Sequence, residues 1–330
     1  MFTRRTVLSG GTASAAISLS GCAGGDMSAY DAEARKLRAP LEPGAPLLEA
    51  ARYATLAANS HNSQPWRFDL GDNRTVIAPD LDRRLAAVDP DDHHLFASLG
   101  CAAENFVLAA QALGRTAEMT FDDEGEGRVV VDLGGGGGVE TELFGAIPER
   151  QCMRSEYDGG AVSAEHLRRL EDAARVDGVE LILITDEAGR ERVTEYVVAG
   201  NSAQMDDAAF REELEAWFRF NPAAALLTRD GLFSGCTGNP SMPSWLARIV
   251  FPYVFTKDGE NDKYVKQIRS SAGIAVFVSD VDDKRHWVDA GRSYQRFALQ
   301  ATALGIRHAH INQAVEVPAA RADFAKWLQI

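Results

Sequence analysis

Apolar side chains recur at helical spacing through Leu47, Leu48, Ala51 and Leu56 of "PLLEAARYATLAANS" (46–60), which predicts a helix ending near Asn59 and Ser60. The following "RFDLGDNRTVIAPD" (67–80) reads as a β-hairpin around Gly71, Asp72 and Asn73. In "AAVDPDDHHLFASLG" (86–100) the pattern predicts a helix start, with Asp89 as N-cap, Pro90 in the first helical position and Asp91 and Asp92 at the positive end of the helix dipole. That reading accounts for the Asp-Asp-His-His cluster without a metal ion. The run "GCAAENFVLAAQALG" (100–114) is apolar over most of its surface and stops at Gly114, as a buried helix does. Near the other end, "RHAHINQ" (307–313) predicts a strand whose period of two puts His308 and His310 on one face. A two-histidine metal site needs a third ligand, and none announces itself, so no metal is expected.

The buried helix recurs. Shifted by 191 positions, "GRSYQRFALQATALG" (291–305) aligns with 100–114 without gaps and repeats seven of fifteen residues, including the glycines at both ends. This predicts an internal duplication. The first half runs over 46–133 and the second over 139–330, with Gly134 to Gly138 as a flexible join. Residues 201–260 have no counterpart in the first half; they contain "EAWFRFNP" and "PSWLARIVFPYVF", and read as an extra helical subdomain. The second half opens with "FGAIPERQCMRSEYDGG", where Arg150 and Arg154, four residues apart, are expected to share a helix face. Each half holds motifs that the other lacks.

Composition narrows the function classes. With 45% hydrophobic and 25% charged residues over 330 positions, the chain can bury a sizeable core. A formal charge of −14 without a basic cluster argues against nucleic acid. The N-terminal "MFTRRTVLSGGTASAAISLSGC" is a targeting segment, to be kept out of the fold (1–22). Arg4 and Arg5 resemble a twin-arginine export signal, and Leu19 to Cys22 a lipobox whose Cys22 is acylated after cleavage. The expected location is periplasmic or cell-envelope, with membrane contact only through a lipid on Cys22, and 23–45 serves as a tether. Cys101, Cys152 and Cys236 are scattered, without disulfide or zinc spacing. No apolar run reaches the roughly 18 residues of a membrane span.

The segment "ATLAANSHNSQPWRF" (54–68) breaks every period. It resembles the segment of the FMN-dependent nitroreductases that ends in Gln-Pro-Trp, and "IPERQCMR" (147–154) looks like a drifted form of that family's opening arginine segment. The chain from 46 to 330 looks like the Acg-type branch, in which one polypeptide carries two nitroreductase halves. The resemblance implies an α+β nitroreductase-like fold, with antiparallel or mixed sheets packed with helices, the duplication mimicking the family dimer, and 201–260 as a lid. It implies FMN, one per chain, with the protein a monomer built as a pseudo-dimer. Ser60, Asn62, Ser63 and Gln64 would meet the polar edge of the isoalloxazine with amides and hydroxyls. Arg150 and Arg154 would hold the phosphate, and Trp66 would stand by the ring unless it serves as a core anchor. The activity implied is hydride transfer from a reduced nicotinamide or another small-molecule donor through FMN to a nitro or quinone-type acceptor. No catalytic side chain is singled out. The alternatives are a non-catalytic protein that binds or sequesters flavin, and a degenerate exported lipoprotein without cofactor.

Overall fold

A computed structural model describes residues 25–138, 141–237 and 239–330. The export-signal and lipobox expectations fall on residues 1–22, outside the described residues. The first described elements are helices α1 (Met27–Leu37) and α2 (Leu47–Ala54), followed by strands β1 (Trp66–Leu70) and β2 (Arg74–Pro79), helix α3 (His93–Ala112), and strands β3 (Arg115–Asp122) and β4 (Arg128–Gly135). The four strands make one antiparallel sheet in the order β1-β2-β4-β3, with Phe68 opposite Ile77 and Val76 opposite Val130. The alternation of β2 and β4 turns Ile77, Val129 and Val131 onto α3, where they are sealed with Leu99, Phe106 and Trp66.

The chain continues through α4 (Glu142–Ala146), α5 (Ala164–Ala174), β5 (Val179–Ile184) and α6 (Glu187–Asp206). A subdomain follows: α7 (Ala208–Trp217), β6 (Phe218–Arg219), α8 (Pro222–Thr228), β7 (Leu232–Phe233) and α9 (Ser244–Val254). Then come α10 (Lys257–Ser270), β8 (Ile274–Ser279), α11 (Lys284–Ala303), α12 (Gln313–Glu316) and α13 (Pro318–Leu328). Strands β5 and β8 pair antiparallel as a two-stranded sheet, and β6 and β7 form a two-residue parallel ladder. The class is α+β, as expected, with antiparallel pairing dominant.

Helices α3 and α11 cross at two glycines. A Cβ on Gly100 would stand 2.0 Å from the Val288 carbonyl oxygen, and one on Gly291 would stand 1.9 Å from that of Ala97. No other residue permits backbones this close. Around the crossing, Gln295 Nε2 donates to Asn105 Oδ1 at 2.8 Å, and Arg296 donates to Glu104 at 2.7 Å. Both helices end the same way, in a glycine at positive φ, Gly114 at 80° and Gly305 at 72°.

Several sequence expectations need correction. Helix α3 starts at His93 rather than Pro90, with Asp92 as N-cap in the left-handed region at φ 62°. Asp89 still caps it from a distance, its two oxygens accepting the N–H groups of His94 at 3.0 Å and Leu95 at 2.8 Å. By length and mean hydropathy α3 could cross a membrane, against the reading that no run qualifies, but 78% of that window is buried. Residues 23–45 are not all tether, because 27–37 fold as α1, whose Tyr30 ring sits 4.6 Å from that of Phe233. Gly134 and Gly135 belong to β4 rather than to a loop. The boundary at 201 falls inside α6, whose buried Asn201 and Gln204 continue its inner face. Arg150 and Arg154 share no helix: the turn Ile147–Glu149 ends at Arg150 in extended conformation, and the N–H of Met153 goes to the His308 carbonyl at 2.8 Å. His308 pairs with Cys152 in an isolated β-bridge, so 307–313 is not a full strand. Its predicted one-sidedness holds, since His308 and His310 both lie against Tyr294, with centroids 6.2 and 4.2 Å away.

Candidate functional site

The loop after α2 is strained where the sequence broke its period. His61, Asn62 and Gln64 have φ of 50°, 52° and 54°, left-handed values that non-glycine residues rarely take. Neighbours hold it in place. Asn59 Oδ1 accepts the Gln64 N–H at 2.9 Å, Asp80 N–H donates to the Pro65 carbonyl at 3.0 Å, and Arg83 donates to the Ser63 carbonyl at 2.8 Å. The subdomain supplies the rest: Asn62 pairs with Gly231 in both directions, side chain to carbonyl at 3.1 Å and carbonyl to N–H at 3.0 Å, while Gln64 Nε2 donates to the Arg229 carbonyl at 2.6 Å. The polar side chains of Asn62 and Gln64 thus staple the loop to residues 229–231. Ser63 is buried at 1% exposure, and Trp66 sits in the core of the first half at 8%.

Beside this loop lies a cavity of about 380 Å³, within the span usual for small-molecule sites. Its walls come from the whole chain: Ser60 and His61 from the loop, His94 and Ser98 from α3, Val276 and Phe277 from β8, Gly291 and Tyr294 from α11, and Gln313 from α12. Phe210, Leu214, Phe218, Leu232 and Phe255 close the subdomain side with apolar surface. Of the residues expected from sequence, Ser60 and Arg154 meet at this cavity. Asn62, Ser63, Gln64, Trp66 and Arg150 do not line it. Arg150 is interior at 8% exposure, its guanidinium donating to the Leu56 carbonyl at 3.0 Å while Nε finds no partner.

Arg154 is the charge that defines the cavity. Its side chain has open surface, yet protein surrounds it as it surrounds an interior residue, so that surface is cavity wall. Among the described residues no carboxylate lies within ion-pair distance, whereas the second wall cation, Lys263, is taken by Glu260 at 2.5 Å. Burial works against the Arg154 charge, but the Cys152 thiol, Tyr264 and the more distant Glu316 hold its pKa above the usual value. Burial, with Arg154 adding to it, pulls the His61 imidazole down to about 4. Burial also pushes the Tyr264 hydroxyl up to about 12, and drives His310 well below the ordinary imidazole range. Among the described residues, three polar atoms of the lining are buried without a partner, His61 Nδ1, His93 Nε2 and Gln313 Oε1, while His94 Nδ1 lies 3.5 Å from Asp89. Buried polar groups are otherwise paired, so orphans gathered at one cavity describe what its occupant must offer: hydrogen bonds and a negative charge.

Asp89, His93 and His94 bring ligand atoms within 4.8 Å of one another. The geometry is that of a helix cap: Asp89 accepts two backbone N–H groups and lies 3.1 Å from His93 Nδ1. Arg321, 3.3 Å from His93 Nδ1 and paired with Asp91 at 2.8 Å, puts a cation at the same end of α3. Sequence reasoning missed His61, Tyr264 and Gln313. Only His61 carried a signal, as a member of the segment that breaks the period; Tyr264 and Gln313 reach the cavity through tertiary packing alone.

No known family profile matches the chain. Its sequence is 24% identical over 274 residues to a Mycobacterium tuberculosis H37Rv protein named "Putative NAD(P)H nitroreductase Rv3131", covering 81% of this chain and 76% of that one. The CDC 1551 strain's "Putative NAD(P)H nitroreductase MT3217" matches to the same extent. A shorter stretch of 70 residues, 21% of each chain, is 34% identical to "Putative NAD(P)H nitroreductase acg" of the same species. The chain is a distant relative of proteins named as nitroreductases.

Proposed function

We propose that the cavity holds FMN and that the chain is a nitroreductase-like oxidoreductase, carrying reducing equivalents from a reduced nicotinamide or another small donor to a nitro or quinone-type acceptor. The observation that carries this reading is Arg154, an unneutralised cation in the wall of a mostly apolar cavity with orphaned hydrogen-bonding atoms. A flat ring with a polar edge and a phosphate matches that set of demands. When bound, the flavin supplies the two-electron carrier that side chains lack. The chain's own residues do the remaining work. Arg154 would anchor the phosphate. Ser60, with His61 and Gln313, would satisfy the polar edge. Asn62, Ser63 and Gln64 would act at one remove, keeping the loop in its left-handed shape through Gly231 and Arg229. Arg150 would support the floor through Tyr294 and Leu56, and Trp66 would anchor the loop to the first-half core.

The proposed duplication has support in the crossing of α3 and α11. Under the 191-residue shift, Ala97 corresponds to Val288 and Gly100 to Gly291, so the two close approaches exchange. The pair Glu104–Arg296 likewise maps onto Gln295–Asn105. Exchange of this kind is the mark of a two-fold interface. We therefore read the chain as a monomeric pseudo-dimer with one composite flavin site, exported and held at the cell envelope.

A second reading, flavin held without turnover, is favoured by the apolar wall from Phe210 to Phe255 and by the staple at 229–231, which together close one side against donors. Anaerobic addition of NADH or NADPH to the FMN-loaded protein separates the two: bleaching supports the oxidoreductase, and an unchanged flavin band supports the holder. Arg154→Ala should weaken FMN binding roughly tenfold or more, the loss typical of one charge-assisted pair. Unchanged affinity would remove Arg154 from the site, and no FMN binding by the parent protein would leave the cofactor-free lipoprotein.

A further inference from the structure

Helix α9 turns an apolar face outward. Trp245, Arg248, Ile249, Pro252 and Tyr253 are exposed, and their spacing of three and four residues aligns them along one side of the helix. Trp245 is 68% exposed, Ile249 60% and Tyr253 81%, with Leu246 and Val254 widening the face. The other side holds the helix to the subdomain: Ala247 is buried, and the Phe251 ring packs on Phe218, Phe220 and Phe255. Among the described residues, five of the eleven exposed large hydrophobics fall on this one helix, so they form a patch rather than the ordinary scatter. From Asn239 to Lys257 the sequence contains no Asp or Glu, and its charges are Arg248 and Lys257, in a chain of net charge −14. At 11 residues α9 is too short to span a bilayer.

The start of the described chain lies beside this helix. Gly25 abuts α8 so closely that a Cβ would stand 2.7 Å from the Ala223 nitrogen. Glu33 of α1 pairs with Arg229 at 3.4 Å, just past the end of α8. Asn221, the N-cap of α8, donates to Met242 and to Ser244, the first residue of α9, at 3.1 Å each. Cys22 precedes Gly25 by three residues, a covalent reach of about 10 Å. Gly25 and the apolar face of α9 therefore belong to the same part of the molecule, and the lipid expected on Cys22 would be attached three residues before Gly25.

We propose that α9 docks on a lipid bilayer, lying in the interface with Trp245, Ile249 and Tyr253 facing the acyl boundary. Trp and Tyr favour that depth, with apolar rings inward and polar atoms at the headgroups. A face without carboxylates admits an anionic surface that the rest of this acidic chain would repel. Membrane binding through a lipid alone is marginal and reversible, and a second apolar contact makes it stable. The contact is independent of the flavin reading, since none of these three residues lines the cavity.

The test uses the full chain carrying Cys22→Ala, which removes acylation, mixed with vesicles of phosphatidylcholine containing a minor share of phosphatidylglycerol. The protein should sediment with the vesicles, and its tryptophan emission should shift to the blue and be quenched by brominated lipid. Adding Trp245→Ser, Ile249→Ser and Tyr253→Ser together should weaken partitioning roughly tenfold or more while circular dichroism stays unchanged, because these side chains are mostly exposed in the free protein. Trp245→Phe should keep the binding and lose most of the emission change, which assigns the contact. Equal partitioning of the triple variant and its parent would overturn the proposal and assign binding to residues 1–22. A parent that stays in the supernatant would overturn it as well. So would loss of self-association in the triple variant without vesicle binding by the parent, which would make the occupant a second copy.

Discussion

In the first half, Ile77, Val129 and Val131 on the sheet meet Leu99, Ala103 and Phe106 on α3 with no exposed surface at any of the six. In the second half, every residue of β8 keeps part of its surface open, and Ile274, Val276 and Phe277 border the cavity while also packing on their neighbours. Both halves lay a long helix on an antiparallel sheet, yet one packing is solid and the other hollow. The difference is not a shortage of apolar residues, since β8 reads "IAVFVS". The two-stranded sheet of β5 and β8 leaves room, and the residues bordering that room include an unneutralised arginine and orphaned polar atoms. The four-stranded sheet is sealed against its helix, whereas β8 borders an open cavity.

The sharpest way to break this arrangement is at the join. Gly291→Leu would drive a side chain into the Ala97 backbone, and we expect loss of the folded protein, seen as insoluble expression or a collapsed near-ultraviolet circular dichroism signal. Gly305→Ala, at the open end of the same helix, should cost only about 1 kcal/mol, through its positive φ.

Next in size is the contrast between the two cores. Phe106→Ala should lower the urea unfolding free energy by about 3–5 kcal/mol, because it leaves a cavity in sealed packing. Val276→Ala, which enlarges space already present, should cost about 1 kcal/mol or less. Equal losses at the two positions would mean that the second half is packed as tightly as the first.

A smaller effect is set by pH. Burial lowers His61 to about 4 and His308 to about 3, and also lowers His310, while an unfolded imidazole titrates near 6.5. The unfolded chain therefore takes up protons first as pH falls below about 6.5, so the stability these groups confer is complete above that value and is lost toward acid. His93 has the opposite sign. Burial pulls it down, but hydrogen bonds and charge from Asp89 and Asp91 raise it on balance, so its contribution is complete below about 6.5 and fades as pH rises through its folded value. Three groups outweigh one, and unfolding free energy should fall between pH 6.5 and about 5, before most carboxylates titrate. His61→Asn, which tolerates the left-handed backbone, should reduce that slope by a part on the order of 1–2 kcal/mol. A flat profile in the parent would place these histidines in contact with water.

Much of the framework was legible from local pattern. The hairpin, the buried helix and its recurrence were set by periodicity and by glycines whose need for close approach or positive φ is local physics. The cap of α3 was legible in its residues but not its boundary, because Asp89 bonds across an intervening Asp92 in a left-handed turn. The site was harder. Asn62 and Gln64 look like ligands by type, yet their amides are used on Gly231 and Arg229, more than 160 positions away. Arg150 and Arg154 look paired by spacing, but hydrogen bonding to His308 pulls the chain out of the helix that would align them. Tyr264 and Gln313 come to line the cavity with Arg154 only when α10 and α12 pack.

The most direct measurement is the visible absorption spectrum of the protein after incubation with FMN and removal of the excess. The account predicts a flavin band near one equivalent per chain, lowered by Arg154→Ala and little affected by Val276→Ala. A colourless protein that is folded by circular dichroism would contradict it, because the cavity, Arg154 and the orphaned atoms would then be present without selecting the ligand they imply.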